Sequence, residues 1–258
     1  MPSVLKNTLS TGSLSVGSVV LTGIDKIVDD HGFLNAWSSE NLTVDGTTTT
    51  VHDYKGEHDL TNPAAGNQPT FNASSANFNS KPSLTFDGTD DYLIKAVTNY
   101  RGSDTSGVII KVARHTSGGF FVGFSTADDG SANNYFYTNY SSGRIRLTLR
   151  YSGTVNSVRG ATVINGGTAF AVGYASTGSA YKLYVDGSTE TNTLMSGADD
   201  GTWMNSSVDR DNLSIGSLQY NSPLYAGSEW VFSGYMPYTN DTAVNNALSD
   251  LMTHYNIT

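Results

Sequence analysis

The sequence predicts an all-β chain closed by one C-terminal α-helix, and three observations predict it. First, apolar residues alternate with polar ones at period two. This is cleanest where Ile145, Leu147 and Leu149 alternate with Arg144, Arg146, Thr148 and Arg150, as in a strand with one face inward and one outward. Second, only 14 % of the residues are charged, against ~25 % in ordinary globular chains. Ser, Thr, Asn and Gly fill the gap, which suits sheets with uncharged outer faces and many turns. Third, one stretch alone changes period. From Asn240 to Tyr255, the residues Val244, Ala247, Leu248, Leu251, Met252 and Tyr255 recur every three or four positions.

The elements follow in order. Residues 1–16 carry little pattern and read as an N-terminal arm or terminal strand. Leu14, Val16, Val19 and Leu21 suggest a first strand ending near Gly23. Asp25, Asp29 and Asp30 read as loop, and Trp37 as core. Lys81 to Leu93 reads as strand, tight turn, strand: Leu84 and Phe86 alternate with Ser83 and Thr85, then Asp87-Gly88 supplies the turn. Val108 to Val112 and Phe120 to Phe124 read as buried strands, the second preceded by a Gly118-Gly119 turn. Ala169 to Gly173 is another strand. Tyr181 to Val185 runs into an Asp186-Gly187 hairpin turn. The helix is expected over residues 241–255, capped by Asn240, Asp241 or Thr242. No internal repeat and no long linker divides the chain, so residues 17–258 are expected to form one domain.

Phe86-Asp87-Gly88-Thr89-Asp90-Asp91-Tyr92-Leu93 resembles the "FDGxDDYL" signature of concanavalin A-like lectin/glucanase domains of the laminin-G-like type. Phe86, Gly88, Tyr92 and Leu93 are the residues of that signature expected to be structural. Val51 to Leu60 resembles the family's "W-x-D-x-S-G-x-x-x-x-L" segment, with Val51 in place of its Trp and Lys55 in place of its Ser. Tyr181 to Gly187 is similar to its "LYVNG" hairpin, Leu213 to Gly216 to its "LxIG" strand and Glu229 to Tyr235 to its penultimate strand. The resemblance implies a two-sheet antiparallel β-sandwich, a concanavalin A-like jelly roll, with a short C-terminal helix packed on it.

Several chemistries are excluded. There is no cysteine, so disulfides and thiolate metal sites are absent. Net charge is −9 with no basic run, which argues against nucleic acid as a partner. No segment approaches the ~20 apolar residues of a membrane span, and the N-terminus lacks a signal-peptide pattern. The retaining glucanases related to this family use paired carboxylates ~5–5.5 Å apart, written on one strand as E-x-D-x-E. Glu40, Glu57, Glu190 and Glu229 are the four glutamates, and no two stand four apart. The chain is therefore expected not to be an enzyme, with an Asp-based glycosidase as the residual alternative.

Among metals, calcium suits oxygen-rich loops. Asp87, Asp90 and Asp91 are its candidate ligands, with Asp128-Asp129, Asp199-Asp200 and Asp209 to Asp211 as other acidic groups. The competing reading is that Asp87 and Asp90 bond turn amides. His52 and His58 with Asp53 and Asp59 are a weaker metal candidate; a polar loop facing only water is the preferred reading. A glycan site needs aromatic faces in Asn-rich surroundings. Tyr135, Tyr137, Tyr140, Trp203, Tyr220 and Tyr225 are its candidates.

The resemblance implies two settings, since jelly rolls with this signature are frequent in bacteriophage structural and tail proteins and in bacterial surface proteins. The first expectation is a non-catalytic virion surface protein: a fibre, tail or capsid-decoration module assembled in the host cytoplasm. It would partner other virion proteins and itself as a homo-oligomer, and hold a cell-surface glycan. The alternative is an extracellular bacterial carbohydrate-binding lectin module.

Overall fold

The computed structural model describes residues 21–115, 121–128, 130, 133–220 and 223–258. The 1–16 arm, most of the first expected strand, the Gly118-Gly119 turn and Asp129 lie outside them. In chain order come α1 (Ile24–Asp30), β1 (Asn35–Asp45), β2 (Thr48–Asp53), β3 (Leu60–Thr61), β4 (Thr70–Ser75), β5 (Lys81–Asp87) and β6 (Leu93–Ala96). Then follow β7 (Gly107–His115), β8 (Phe121–Ala127), β9 (Tyr135–Ser141), β10 (Arg144–Tyr151), β11 (Thr154–Arg159), β12 (Ala169–Ser176) and β13 (Tyr181–Val185). The chain ends with β14 (Ser188–Thr189), β15 (Thr193–Ser196), β16 (Asn212–Ile215), β17 (Ser217–Leu218), β18 (Leu224–Tyr225), β19 (Gly227–Met236) and α2 (Asp241–Tyr255). No helix of the described residues is long and apolar enough to cross a membrane.

The strands form two antiparallel layers. The back layer runs β4-β5-β19-β7-β12-β13-β14 and the front layer β2-β3-β6-β16-β8-β9-β10-β11-β15. β1 belongs to both. Asn35 to Ser38 pair with β19, the register then shifts, and Leu42 to Asp45 pair with β2. The sandwich with a C-terminal helix is thus the observed architecture.

Two apolar cores follow from strand alternation. Between the layers lie Trp37, Leu84, Phe86, Ile109, Phe124, Phe136, Leu147, Leu149 and Trp230. The other face of the back layer carries Val108, Ile110, Val112, Ala171, Ala175 and Phe232. These are covered by Ile24 and Val28 of α1 and by Val244, Ala247, Leu248, Leu251 and Tyr255 of α2. Asn240 caps α2 by accepting from the Ala243 N–H at 2.9 Å. Asp25, Asp29 and Asp30 are helical rather than loop. A seven-residue helix shows too little periodicity to stand out in sequence, but Ile24 and Val28, four apart, give it a buried stripe.

β9, β10 and β11 form a meander joined by two-residue turns, Ser142-Gly143 and Ser152-Gly153. All four turn residues have φ between +46° and +81°, as type I′ turns require; these match strand twist and fix register. Asp186-Gly187 joins β13 to β14 in the same way, with φ of +46° and +75°.

The signature turn explains its residues. Asp87 Oδ1 accepts the N–H of Thr89 at 2.8 Å, Asp90 at 3.2 Å and Asp91 at 3.4 Å. Asp91 Oδ2 accepts the Asp87 N–H at 3.0 Å. Gly88 sits at φ +84°, where a Cβ would lie 3.2 Å from Gly227 backbone. Phe86 and Leu93 are buried in the inter-layer core. Asp53 does similar work beside α1, accepting from Asn35 Nδ2 at 2.7 Å and from the N–H of Ala36, Lys55, Glu57 and His58.

Candidate functional site

Because α1 and α2 cover the outside of the back layer, the outside of the front layer is the sheet face left for a ligand. On the β9–β11 meander, register places the outward residues in a grid of three rows. The first row is Asn139, Arg146 and Arg159; the second is Tyr137, Thr148 and Ser157; the third is Tyr135, Arg150 and Val155. The inward set, Phe136, Tyr140, Ile145, Leu147, Leu149 and Val158, belongs to the inter-layer core.

Polar groups knit the grid's centre. Thr148 Oγ1 and Ser157 Oγ are 3.0 Å apart, and Arg146 Nε donates to Ser157 Oγ at 2.6 Å. Burial raises the Tyr137 hydroxyl pKa, against a bond to Thr148 that lowers it. Asn139 is 1 % exposed, and among the described residues neither its amide nitrogen nor its amide oxygen has a hydrogen-bond partner; the buried Nε atoms of Arg150 and Arg159 have none there either. No ion pair forms at Arg144, Arg146, Arg150 or Arg159 among the described residues. β9, β10 and β11 contain no Asp or Glu.

One wall of this face is aromatic. Tyr135, half-buried, packs its ring 5.5 Å from Tyr137 and 5.9 Å from Tyr220, and the Arg150 guanidinium stands 6.0 Å from its centroid. Tyr220 comes from the segment that leads to β18, and β17 folds over the front layer, where Ser125 Oγ donates to the Ser217 carbonyl at 2.8 Å. Leu218 and Leu224 pack with these tyrosines.

The six aromatic candidates therefore divide. Tyr135, Tyr137 and Tyr220 come together, with Tyr137 only 8 % exposed. Tyr140 turns inward, stacks on Phe170 at 6.3 Å and donates to the Ile164 carbonyl. Its expected place in a glycan site is corrected. Trp203 lies in an irregular segment, as expected, yet its side chain is fully buried against Phe136 at 4.9 Å and is a core residue. Tyr225 stands apart from the cluster, 6.0 Å from Tyr92 of the signature turn. The residues that sequence reasoning missed are Asn139, Arg146, Arg150 and Arg159. The alternation in β10 had already put Arg146 and Arg150 on one outward face.

The loop end of the sandwich carries a separate recess of about 570 Å³ between Glu57, His58, Tyr100, Arg101 and Val208. There Arg101 is already engaged by Asn35 and by the rings of Tyr100 and Tyr235.

The oxygens of Asp87, Asp90 and Asp91 lie within 4.8 Å of one another. For Asp87 burial is outweighed by its amide bonds, which hold its carboxyl low, whereas burial pushes Asp91 up to about 6. A calcium ion needs six to eight oxygens, and the carboxylates of Asp87 and Asp91, rather than the expected Asp87 and Asp90, already serve turn amides, so the fit is poor. His52, Asp53 and Asp59 do not face only water, contrary to expectation. His52 Nδ1 meets Asp59 Oδ2 at 2.8 Å, and Asp59 Oδ1 accepts the Asp53 N–H at 2.9 Å.

No family model matches the chain, and no curated protein matches it. Solved structures do. The CBM40 module of Ruminococcus gnavus IT-sialidase, bound to α2,3-sialyllactose, superposes with a TM-score of 0.52 at 12 % identity, covering 64 % of this chain and 96 % of that one. Trypanosoma rangeli sialidase gives 0.57 at 13 % identity, covering 88 % of this chain but 33 % of that one. Streptococcus pneumoniae NanB sialidase gives 0.51 at 14 % identity, over 63 % and 27 %. This chain thus spans about a third or less of the two sialidases, and the likeness is one of fold. The fold shared with these proteins is the lectin-like β-sandwich.

Proposed function

We propose that the protein is a non-catalytic carbohydrate-binding module whose site is the outer face of the β9–β11 meander. One observation carries this reading. Among the described residues, this stretch of layer surface joins half-buried tyrosine rings to unpartnered hydrogen-bonding groups, in a sandwich whose opposite face is covered by helices. Aromatic faces meet sugar C–H surfaces and polar groups meet hydroxyls. Absence of turnover is supported by three of the four glutamates, which are engaged structurally. Glu229 accepts from Ser75, Ser83 and Asn77, Glu190 from Thr162, and Glu40 from His254 and Lys81. The solved structures above favour the binding-module alternative over the virion role, for which no comparison speaks.

A glycan array probed with the purified chain should show binding. Tyr135→Ala should weaken it at least tenfold with the melting temperature little changed. Binding to no glycan, or binding indifferent to Tyr135, would sink the proposal. New reducing ends released from a bound polysaccharide would overturn the non-catalytic part.

A further inference from the structure

We infer that the first row of the grid, Asn139–Arg146–Arg159, is a receptor for an acidic group, and that the ligand is a saccharide bearing a carboxylate or sulfate. The inference rests on the glycan-binding reading and names its substrate class. Arg146 and Arg159 are directly opposite each other on β10 and β11. Like charges in that position repel, and a sheet gains nothing by placing them there. Ordinarily a neighbouring carboxylate relieves such a pair. None does so among the described residues, although the chain carries 23 acidic and only 14 basic residues. Four of those 14, Arg144, Arg146, Arg150 and Arg159, lie on this one meander, which has no acidic residue.

Asn139 faces Arg146 on the next strand. Its amide is buried and, among the described residues, unpartnered, on the face proposed to bind ligand. A buried amide without a partner is costly and rare. An anion seated between the two guanidiniums would resolve both anomalies. It accepts charge-assisted bonds from Arg159 and Arg146, which present planar forks matched to carboxylate or sulfate, and it accepts one from Asn139 Nδ2. Arg146 already donates its Nε to Ser157, so its terminal nitrogens are the ones left for the ligand. The attached sugar ring then lies along the grid toward Tyr135, two rows or ~13 Å away, a span of two to three residues of an oligosaccharide.

Affinity electrophoresis tests this with four polymers in the gel: polygalacturonate (carboxylate), heparin (sulfate), dextran (neutral) and single-stranded poly(dT). The wild-type chain should be retarded by polygalacturonate or heparin, and which of them acts tells carboxylate from sulfate. Arg146→Gln and Arg159→Gln should each weaken that retardation at least tenfold. Arg159→Gln should melt at or above wild type, because it removes a like-charge contact, and Arg146→Gln near wild type, because the bond it loses to Ser157 offsets that gain. Asn139→Leu, which fills the same space without the amide, should weaken it several-fold. Retardation by dextran, lost in Tyr135→Ala and indifferent to both arginine variants, would overturn the acidic specificity and leave glycan binding standing. Equal retardation by poly(dT) would make the face a general polyanion surface and overturn the inference. No retardation by any polymer would remove both readings.

Discussion

Gly88 and Asp91 show what single residues of the signature turn do. Gly88 combines positive φ with backbone contact at 3.2 Å, so a β-branched side chain there meets both strain and overlap. Gly88→Val should lower stability by roughly 2–5 kcal/mol, read by urea denaturation; a wild-type midpoint would dismiss the turn's role. Asp91 behaves differently. Burial first, and then the Asp87 and Asp90 charges, raise its carboxyl from 3.8 to about 6. The folded state then binds more protons than the unfolded state between those values, so ionisation weakens the fold as pH rises through that window. Asp91→Asn should gain stability relative to wild type at pH 7.5 and lose that advantage at pH 4. Calcium would reverse this, since a bound cation favours the ionised form. Stabilisation of wild type but not of Asp91→Asn by added calcium would assign the ion to this turn. The turn was legible in sequence because Asp-Gly chemistry is local. The tyrosines were partly legible: Tyr137 and Tyr140 stand three apart, so a regular strand sends them to opposite faces. Trp203 was not legible, because an irregular segment has no period to say which way its side chain points.

At the scale of elements, α2 is the clearest success of periodicity, and its buried stripe is the one that spacing predicted. Leu248 and Leu251 are fully buried. Truncation of either to Ala should cost roughly 2–5 kcal/mol in thermal or chemical denaturation, and melting like wild type in both would mean the helix is not docked. Less legible was the polar clamp that holds it. His254 Nε2 meets Glu40 Oε1 at 2.6 Å, and Lys81 Nζ meets Glu40 Oε2 at 3.1 Å. The three residues are 41 and 173 positions apart or more, beyond any local pattern. Burial raises the Glu40 pKa, but His254 and Lys81 more than offset it and hold the carboxyl below its ordinary 4.5. A depressed carboxylate adds stability above its unfolded pKa and loses it as pH falls through the folded value. Glu40→Gln should therefore be less stable than wild type at pH 6–7, and the difference should shrink below pH 4.5. A constant difference across that range would show that the carboxylate's charge is not what docks the helix. The arginine row lay between these extremes. Its spacing within β10 was readable, but Arg159 joined it only through the register set by the Ser152-Gly153 turn.

Across the whole molecule, β1 and β19 decide how cooperative the sandwich is. β1 begins in the back layer beside β19 and ends in the front layer beside β2. β19 is bonded to β1, β5 and β7, so strands from both ends of the chain meet at one place. Neither layer can lose its order without opening the core it shares with the other. Unfolding should then be a single transition, the same by far-ultraviolet and aromatic circular dichroism, with a calorimetric enthalpy on the order of 180 kcal/mol from ~0.7 kcal/mol per residue. Two transitions would divide the chain into separate units. The same coupling makes stability a reporter of the front face. A ligand at a hundred times its Kd adds about 2.7 kcal/mol to the folded state, and each kcal/mol moves the midpoint of a chain this size by roughly 2–4 °C. A saturating acidic oligosaccharide should thus raise the single midpoint by roughly 5–10 °C, and the indole signal of buried Trp230 and Trp37 should shift with it although neither touches the meander's outer face. A ligand that binds tightly yet leaves that common midpoint in place would show that the face is not coupled to the core, and the one-unit description of the sandwich would fail.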